Sequence, residues 1–232
     1  MKYLLSFLLI ALAAACNPKL SNGLRKNDLK KDVELTTSKG IIVLRLSDST
    51  PLHRDNFLKL VKQHYYDSVL FHRVIQHFMV QAGDPESKQA KAGDRLGNGS
   101  PGYTIPAEMR TTLFHKKGVL AAARMGDDVN PQKASSGSQF YLVQGRVFTD
   151  AGLDSVETFR LKGRKLPPEH RAVYKTLGGA PHLDQNYTVF GEVIKGLNVV
   201  DSIAATPTNG NPGGNRPLTD VKIIKARLIK RN

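Results

Sequence analysis

The stretch Phe71-His72-Arg73-Val74-Ile75, followed after Gln76-His77 by Phe78-Met79-Val80-Gln81-Ala82-Gly83-Asp84, decides the reading of this chain. Its apolar patterning predicts two adjacent extended segments, Val69 to Ile75 and Phe78 to Gln81. Together they carry one arginine, one glutamine and two large apolar side chains. Arg73 is always charged and offers a planar fork of donors. Gln81 can hold that fork in place, and Phe78 and Met79 offer an apolar seat beside it. A fixed cation next to an apolar pocket suits a substrate that is apolar yet carries a carbonyl. A proline within a peptide meets that description.

Working outward, Val33 to Thr36 and Ile41 to Leu46 alternate around Ser38-Lys39-Gly40, the pattern of a β-hairpin. Pro51 to Tyr65 places Phe57, Leu58, Leu60 and Val61 at helical spacing, with a proline in the first turn. Asp84 to Tyr103 is glycine-rich and polar and reads as a loop. Gly118 to Met125 and Ser138 to Val143 read as strands, with a loop over Gly126 to Ser136 between them. Thr149 to Gly179 then breaks the strand rhythm. Within it Val156, Phe159 and Leu161 recur among charges, and Pro167-Pro168-Glu169 can open a short helix that ends near Gly178-Gly179. Strand signals return at Tyr187 to Ile194 and Val221 to Ile229, separated by a helical Leu197 to Ala204 and a turn-rich Asn209 to Pro217. Two helices among many strands, without β-α-β alternation, argue for an antiparallel barrel with helical caps.

The 232 residues suffice for one sizeable domain, and 20 glycines with 12 prolines favour a turn-rich β fold. A formal net charge of +14 implies a basic surface, attractive to anionic membranes or acidic polypeptides. The cations are spread along the chain without a nucleic-acid-binding signature, so no nucleic-acid partner is expected. His72 and His77 have no companion ligands at metal-site spacing, so no metal is expected. No nucleophile-elbow motif supports a serine hydrolase.

The first residues stand apart from the fold. Lys2 precedes an almost wholly apolar run, Tyr3 to Ala15, whose length suits the core of a signal peptide and is short for a membrane span. Cys16, the chain's single cysteine, directly follows Ala13-Ala14-Ala15. The arrangement resembles a bacterial lipoprotein cleavage site, although Leu12 stands one place earlier than the leucine such sites usually carry. The expected organisation is a signal peptide over 1–15, a lipid-modified Cys16 with a flexible tether over 16–32, and a folded domain over 33–232 with an insertion at about 149–179. The protein is expected to be exported, anchored to a membrane by lipid and facing the periplasm, and the expected state is a monomer.

Four segments, in order, resemble the cyclophilins, the peptidyl-prolyl cis–trans isomerases. They are the opening stretch; Gly118-Val119-Leu120-Ala121-Ala122-Ala123-Arg124; Gly137-Ser138-Gln139-Phe140-Tyr141-Leu142; and Leu183-Asp184 with Val189-Phe190-Gly191-Glu192-Val193. The resemblance spans roughly Glu34 to Ile229. It implies a mainly β fold, a closed eight-stranded antiparallel barrel capped by two helices, here with a partly helical insertion longer than compact members carry. It implies an enzyme that speeds X-Pro isomerisation in proline-containing unfolded or partly folded polypeptides, without cofactor, here during folding of exported proteins. Position by position, the catalytic arginine falls on Arg73 and its orienting partner on Gln81. The proline pocket falls on Phe78, Met79, Tyr141 and Leu183, and the groove on Ala123, Arg124 and Gln139, with Arg124 acting through its backbone.

His182 stands where the family often has tryptophan, which this chain lacks entirely, and Tyr187 where it often has histidine. Both flank the pocket, so activity is expected to survive while tight cyclosporin binding is not. Tyr141 replaces a more usual phenylalanine and adds a hydroxyl. A chaperone or docking module with little isomerase activity is the alternative reading, which intact Arg73 and Gln81 disfavour.

Overall fold

The computed structural model describes residues 23–231. The expected signal peptide and Cys16 lie outside those residues. A short 3-10 helix (Lys26–Lys30) leads into β1 (Lys31–Thr37), β2 (Gly40–Leu46), α1 (Pro51–Lys62), β3 (Arg73–Ile75) and β4 (Met79–Ala82). Then follow β5 (Thr104–Ile105), β6 (Val119–Ala122), β7 (Ser135–Ser136), β8 (Phe140–Val143), α2 (Asp150–Ser155) and α3 (Pro168–Thr176). The chain ends with β9 (Val189–Lys195), α4 (Leu197–Ala204) and β10 (Ile223–Lys230).

Eight strands form one sheet in the order β10-β1-β2-β9-β6-β8-β4-β3, with every pairing antiparallel. Register shifts at Thr36/Thr37, Val43/Leu44 and Leu120/Ala121 bend it. The expected barrel does not close, and the sheet is an open half-barrel. β3 is only three residues long, and its Val74 amide donates to the carbonyl of Asn215, in the loop before β10, rather than to β10 itself. The segment preceding β3 meets the start of β10 instead, through a Leu70–Lys222 bridge and hydrogen bonds of Ile223 with Ser68 and Val69.

Alternation along the strands divides the apolar residues between two faces. Val80 and Ala82, Leu120 and Ala122, and Phe140 and Leu142 join the main core with Phe57, Leu58 and Val61 of α1 and Val200 and Ile203 of α4. The residues between them, Met79, Val119, Ala121, Tyr141 and Val143, form a second cluster on the opposite face. α1 and α4 are the two expected caps, and α2 and α3 belong to the insertion. A buried Glu108 holds the start of α1, accepting from the amides of Leu52 (3.2 Å) and His53 (2.9 Å), where helix ends leave donors unpaired.

The expected tether is shorter than the sequence implies. Leu24 is fully buried in the main core and Asp28 accepts from Lys62 Nζ of α1 at 2.7 Å, so residues from Leu24 onward belong to the folded body. The insertion packs around its own small core of Leu153, Leu161, Leu166 and Tyr174.

Candidate active site

The site is one row of cross-strand neighbours on the face opposite the main core. Arg73 pairs with Gln81 across β3–β4, Gln81 with Tyr141 across β4–β8, and Tyr141 with Ala121 across β8–β6. A period of two puts all four side chains on the same side. Met79 lies on that side one position along, opposite Val143.

Arg73 is half-buried, and burial lowers its pKa from the ordinary value without removing its charge. No carboxylate pairs with it among the described residues. Its Nη1 donates to Gln81 Oε1 at 3.2 Å, and Gln81 Nε2 donates to Gln139 Oε1 at 3.0 Å. Gln139 Nε2 in turn donates to the carbonyls of Gly97 (2.8 Å) and Gly99 (2.9 Å). That loop is held by the buried Asp84, which accepts from the Gly97 amide, and by Arg216, which donates to the carbonyls of Lys91 and Asp94. The guanidinium is therefore buttressed by a chain of neutral amides that fixes its direction and leaves its charge uncompensated.

Beside it opens a cavity of about 530 Å³ lined by Phe78, Met79, Ala123, Tyr141, His182, Leu183 and Tyr187 as well as Arg73 and Gln81. Every expected site residue within the described chain lines it except Gln139, which acts behind Gln81. Phe78 and His182 bring ring centroids within 5.2 Å at the rim. Burial, followed by the charges of Arg160 and His115, lowers the His182 pKa to about 4, so it is neutral near pH 7. Ala123's amide and carbonyl are already paired, with Gln139 and Ser136. Arg124 goes beyond its expected backbone role. Its guanidinium stacks over the Tyr187 ring at 4.5 Å and donates to the Asn186 carbonyl at 2.8 Å, tying down the pocket rim.

Two residues escaped sequence reasoning. The Tyr141 hydroxyl lies 3.0 Å from His115 Nε2, and His115 Nδ1 lies 2.9 Å from Asp184 Oδ1. The other carboxylate oxygen, Oδ2, accepts from the Tyr174 hydroxyl of α3 at 2.8 Å. All four are buried. The network links the insertion to the pocket wall and satisfies the hydroxyl that Tyr141 adds. A buried tyrosine demands such a partner, but nothing local in the sequence pairs it with His115. His53 also sits between Glu108 (2.7 Å) and Ser135 Oγ (2.9 Å). All three side chains are buried, so the trio is a structural clamp and not a hydrolytic triad.

A family model described as cyclophilin type peptidyl-prolyl cis-trans isomerase/CLD matches residues 32–228. A Staphylococcus haemolyticus protein that carries the name peptidyl-prolyl cis-trans isomerase is 32% identical over 207 residues, covering 89% of this chain and 94% of the relative. A Streptococcus pyogenes relative, named as a bifunctional phosphatase/peptidyl-prolyl cis-trans isomerase, is 33% identical, covering 85% of this chain and 38% of its own length. The crystal structure of a Cryptosporidium parvum cyclophilin type peptidyl-prolyl cis-trans isomerase aligns with a TM-score of 0.61 at 20% identity, over 87% of this chain and 99% of that one. The same protein, solved in the presence of the dipeptide Ala-Pro, aligns with a TM-score of 0.60 at 19% identity over 86% and 99%. The family model spans the sheet, the pocket and the insertion together, and with it this chain belongs to the cyclophilin-type peptidyl-prolyl cis–trans isomerases.

Proposed function

We propose that Arg73 carries the isomerase activity by stabilising a twisted X-Pro amide seated against Phe78, Met79, Tyr141 and Leu183. An X-Pro bond turns slowly because of its partial double-bond character, with a barrier of about 18–20 kcal/mol. Twisting the bond removes resonance and leaves the proline nitrogen pyramidal and basic. A donor aimed at that nitrogen binds the twisted state better than either planar state, which is differential transition-state binding. The apolar wall grips the ring while the preceding carbonyl rotates. Partial burial of Arg73 strengthens its field, and the Gln81–Gln139 chain keeps it in place without neutralising it. A stabilisation of about 6 kcal/mol gives more than four powers of ten in rate. The step needs no proton transfer and no covalent intermediate.

The observation that carries this reading is an arginine with no carboxylate partner among the described residues, in a cavity of about 530 Å³ whose wall beside it carries Phe78, Met79, Tyr141 and Leu183. The test is a cis–trans isomerisation assay on a proline peptide with the purified domain. Acceleration well above the spontaneous rate supports the reading. A folded protein that leaves the rate unchanged supports a binding-only role.

We further propose that the protein acts on exported polypeptides while held at a membrane by lipid on Cys16. The apolar run Tyr3 to Ala15 and the placement of the chain's only cysteine support this. A lipoprotein's cysteine carries more than one acyl chain, which anchors firmly where one does so only marginally. Mass spectrometry of the mature amino terminus, with detergent against salt extraction of membranes, tests it. An unmodified start downstream of Cys16 contradicts it.

A further inference from the structure

A second hollow, of about 540 Å³, adjoins the proline pocket. Arg124, Arg160, His182, Leu183 and Tyr187 line both, so the two are continuous. The charged lining of the second is Arg124, Lys133, Arg160, Lys162 and Arg164 against a single carboxylate, Asp127. Arg124 already holds that carboxylate at 2.6 Å. Three of the cations, Arg160, Lys162 and Arg164, come from the insertion and are exposed.

The contrast with the rest of the insertion is sharp. Elsewhere on it, Arg171 pairs with Asp150, Asp154 and Glu157, Lys175 with Asp150, and Lys165 with Glu157. Those cations are neutralised at home. Around the hollow, the Arg124–Asp127 pair apart, the partners are neutral oxygens instead. Arg164 donates to the Asp184 carbonyl, and Lys133 Nζ to Asn186 Oδ1 at 2.7 Å. No carboxylate pairs with Arg160, Lys162 or Arg164 among the described residues. Arg164 is thus positioned without a carboxylate, and Arg160 and Lys162 stand exposed beside it, all three lining the hollow that adjoins the pocket.

We propose that this hollow is an anion-binding shelf for an acidic side chain of the same polypeptide whose proline occupies the pocket. The shelf makes the insertion a specificity element, selecting prolines that have a carboxylate or a phosphorylated residue nearby in sequence. This rests on the proline-site reading, because continuity with that pocket is what identifies the ligand as a polypeptide. Exposed ion pairs are individually weak and screened by salt. Several converging on one anion give a preference of about tenfold at low ionic strength, shrinking as salt rises.

The test uses labelled X-Pro peptides with Glu, phosphoserine or Lys at each of the three positions on either side of the X-Pro pair. Affinity is read by fluorescence anisotropy, and turnover by the isomerisation assay. Wild type is compared with Arg160→Ala/Lys162→Ala. It is also compared with Lys26→Ala/Lys30→Ala, which removes the same charge from the amino-terminal 3-10 helix. The expected result is tighter binding of an acidic peptide than of its lysine counterpart at one or more positions. That ratio falls to near one in the first variant and persists in the second. Whether Glu or phosphoserine gives the larger ratio identifies the natural anion. No preference at any position, or a preference lost equally in both variants, overturns the shelf. A preference in binding without turnover contradicts the isomerase reading while leaving the shelf standing, and failure of every peptide to bind removes both.

Discussion

Arg73 and Gln81 stand opposite each other in register across β3 and β4, and the guanidinium donates to the amide oxygen at 3.2 Å. Eight residues of sequence separation thus become a direct contact, because a hairpin folds the chain back through Gln76-His77-Phe78. A neutral partner steers the cation where a carboxylate would quench it.

Gln81→Ala removes the steering and keeps the charge. Its kcat/KM is expected to fall by about 10- to 100-fold, since misdirection of a catalytic group carries penalties of that order, with thermal stability close to wild type. Arg73→Lys is expected to recover little of the activity that Arg73→Ala loses, because an ammonium cannot present the planar fork. Steady-state kinetics on one peptide compare all three variants. Full activity in Gln81→Ala shows that the partner is dispensable.

Tyr141→Phe tests the buried network. It strands His115 Nε2, which the Tyr141 hydroxyl meets at 3.0 Å. Tyr174→Phe does the same to Asp184 Oδ2. Each change is expected to lower unfolding stability by about 1–3 kcal/mol, the range for an unsatisfied buried polar group. Urea denaturation reads it. Unchanged stability in both variants means the four residues are not coupled.

Acid sensitivity follows from His72. Burial lowers its pKa from 6.5 to about 4. Between those values the unfolded chain binds the proton and the folded one does not. The stability tied to neutral His72 is therefore complete above about pH 6.5 and lost as pH falls toward 4. The loss between about pH 7 and pH 5 is of order 2 kcal/mol. His72→Leu is expected to make that part of the stability–pH curve shallower, with the share due to His182 remaining. A variant with the wild-type slope assigns it to other groups.

Much of this architecture was legible beforehand, and the reason differs by element. The short continuous apolar runs Phe140 to Val143 and Val119 to Ala122, and the helical spacing of Phe57, Leu58 and Val61, signal burial directly. Local rules therefore found β6, β8, α1 and α4. The motif residues do converge: register on one sheet face brings Arg73, Gln81, Met79 and Tyr141 together, while the β3–β4 turn adds Phe78 and the 3-10 helix Pro181–Leu183 adds Leu183. Barrel closure failed as an expectation because β3 ends after three residues and a loop takes its outer edge, which is a tertiary fact. Leu24 looked like part of a polar tether because one apolar residue carries no periodicity. His115 and the cationic lining from Arg160 to Arg164 were invisible for the same reason: their meaning lies in what stands across from them.

His182 occupies the pocket rim, 5.2 Å from the Phe78 ring, where many family members carry tryptophan. Cyclosporin is therefore expected to inhibit weakly, and His182→Trp to tighten inhibition by about tenfold or more, a gain of about 1.4 kcal/mol that the larger ring's apolar area can supply. An inhibition titration of both proteins decides it. Equal and tight inhibition would show that the position does not matter.

The most direct measurement is the isomerisation rate of Arg73→Ala beside wild type, with folding checked by circular dichroism and thermal denaturation. Arg73 lines the open cavity and has no carboxylate partner among the described residues, so its loss is expected to spare the fold. The account predicts a folded variant whose kcat/KM drops by about two orders of magnitude or more, in line with removal of one transition-state donor. A well-folded variant that turns over peptide at close to the wild-type rate would contradict it.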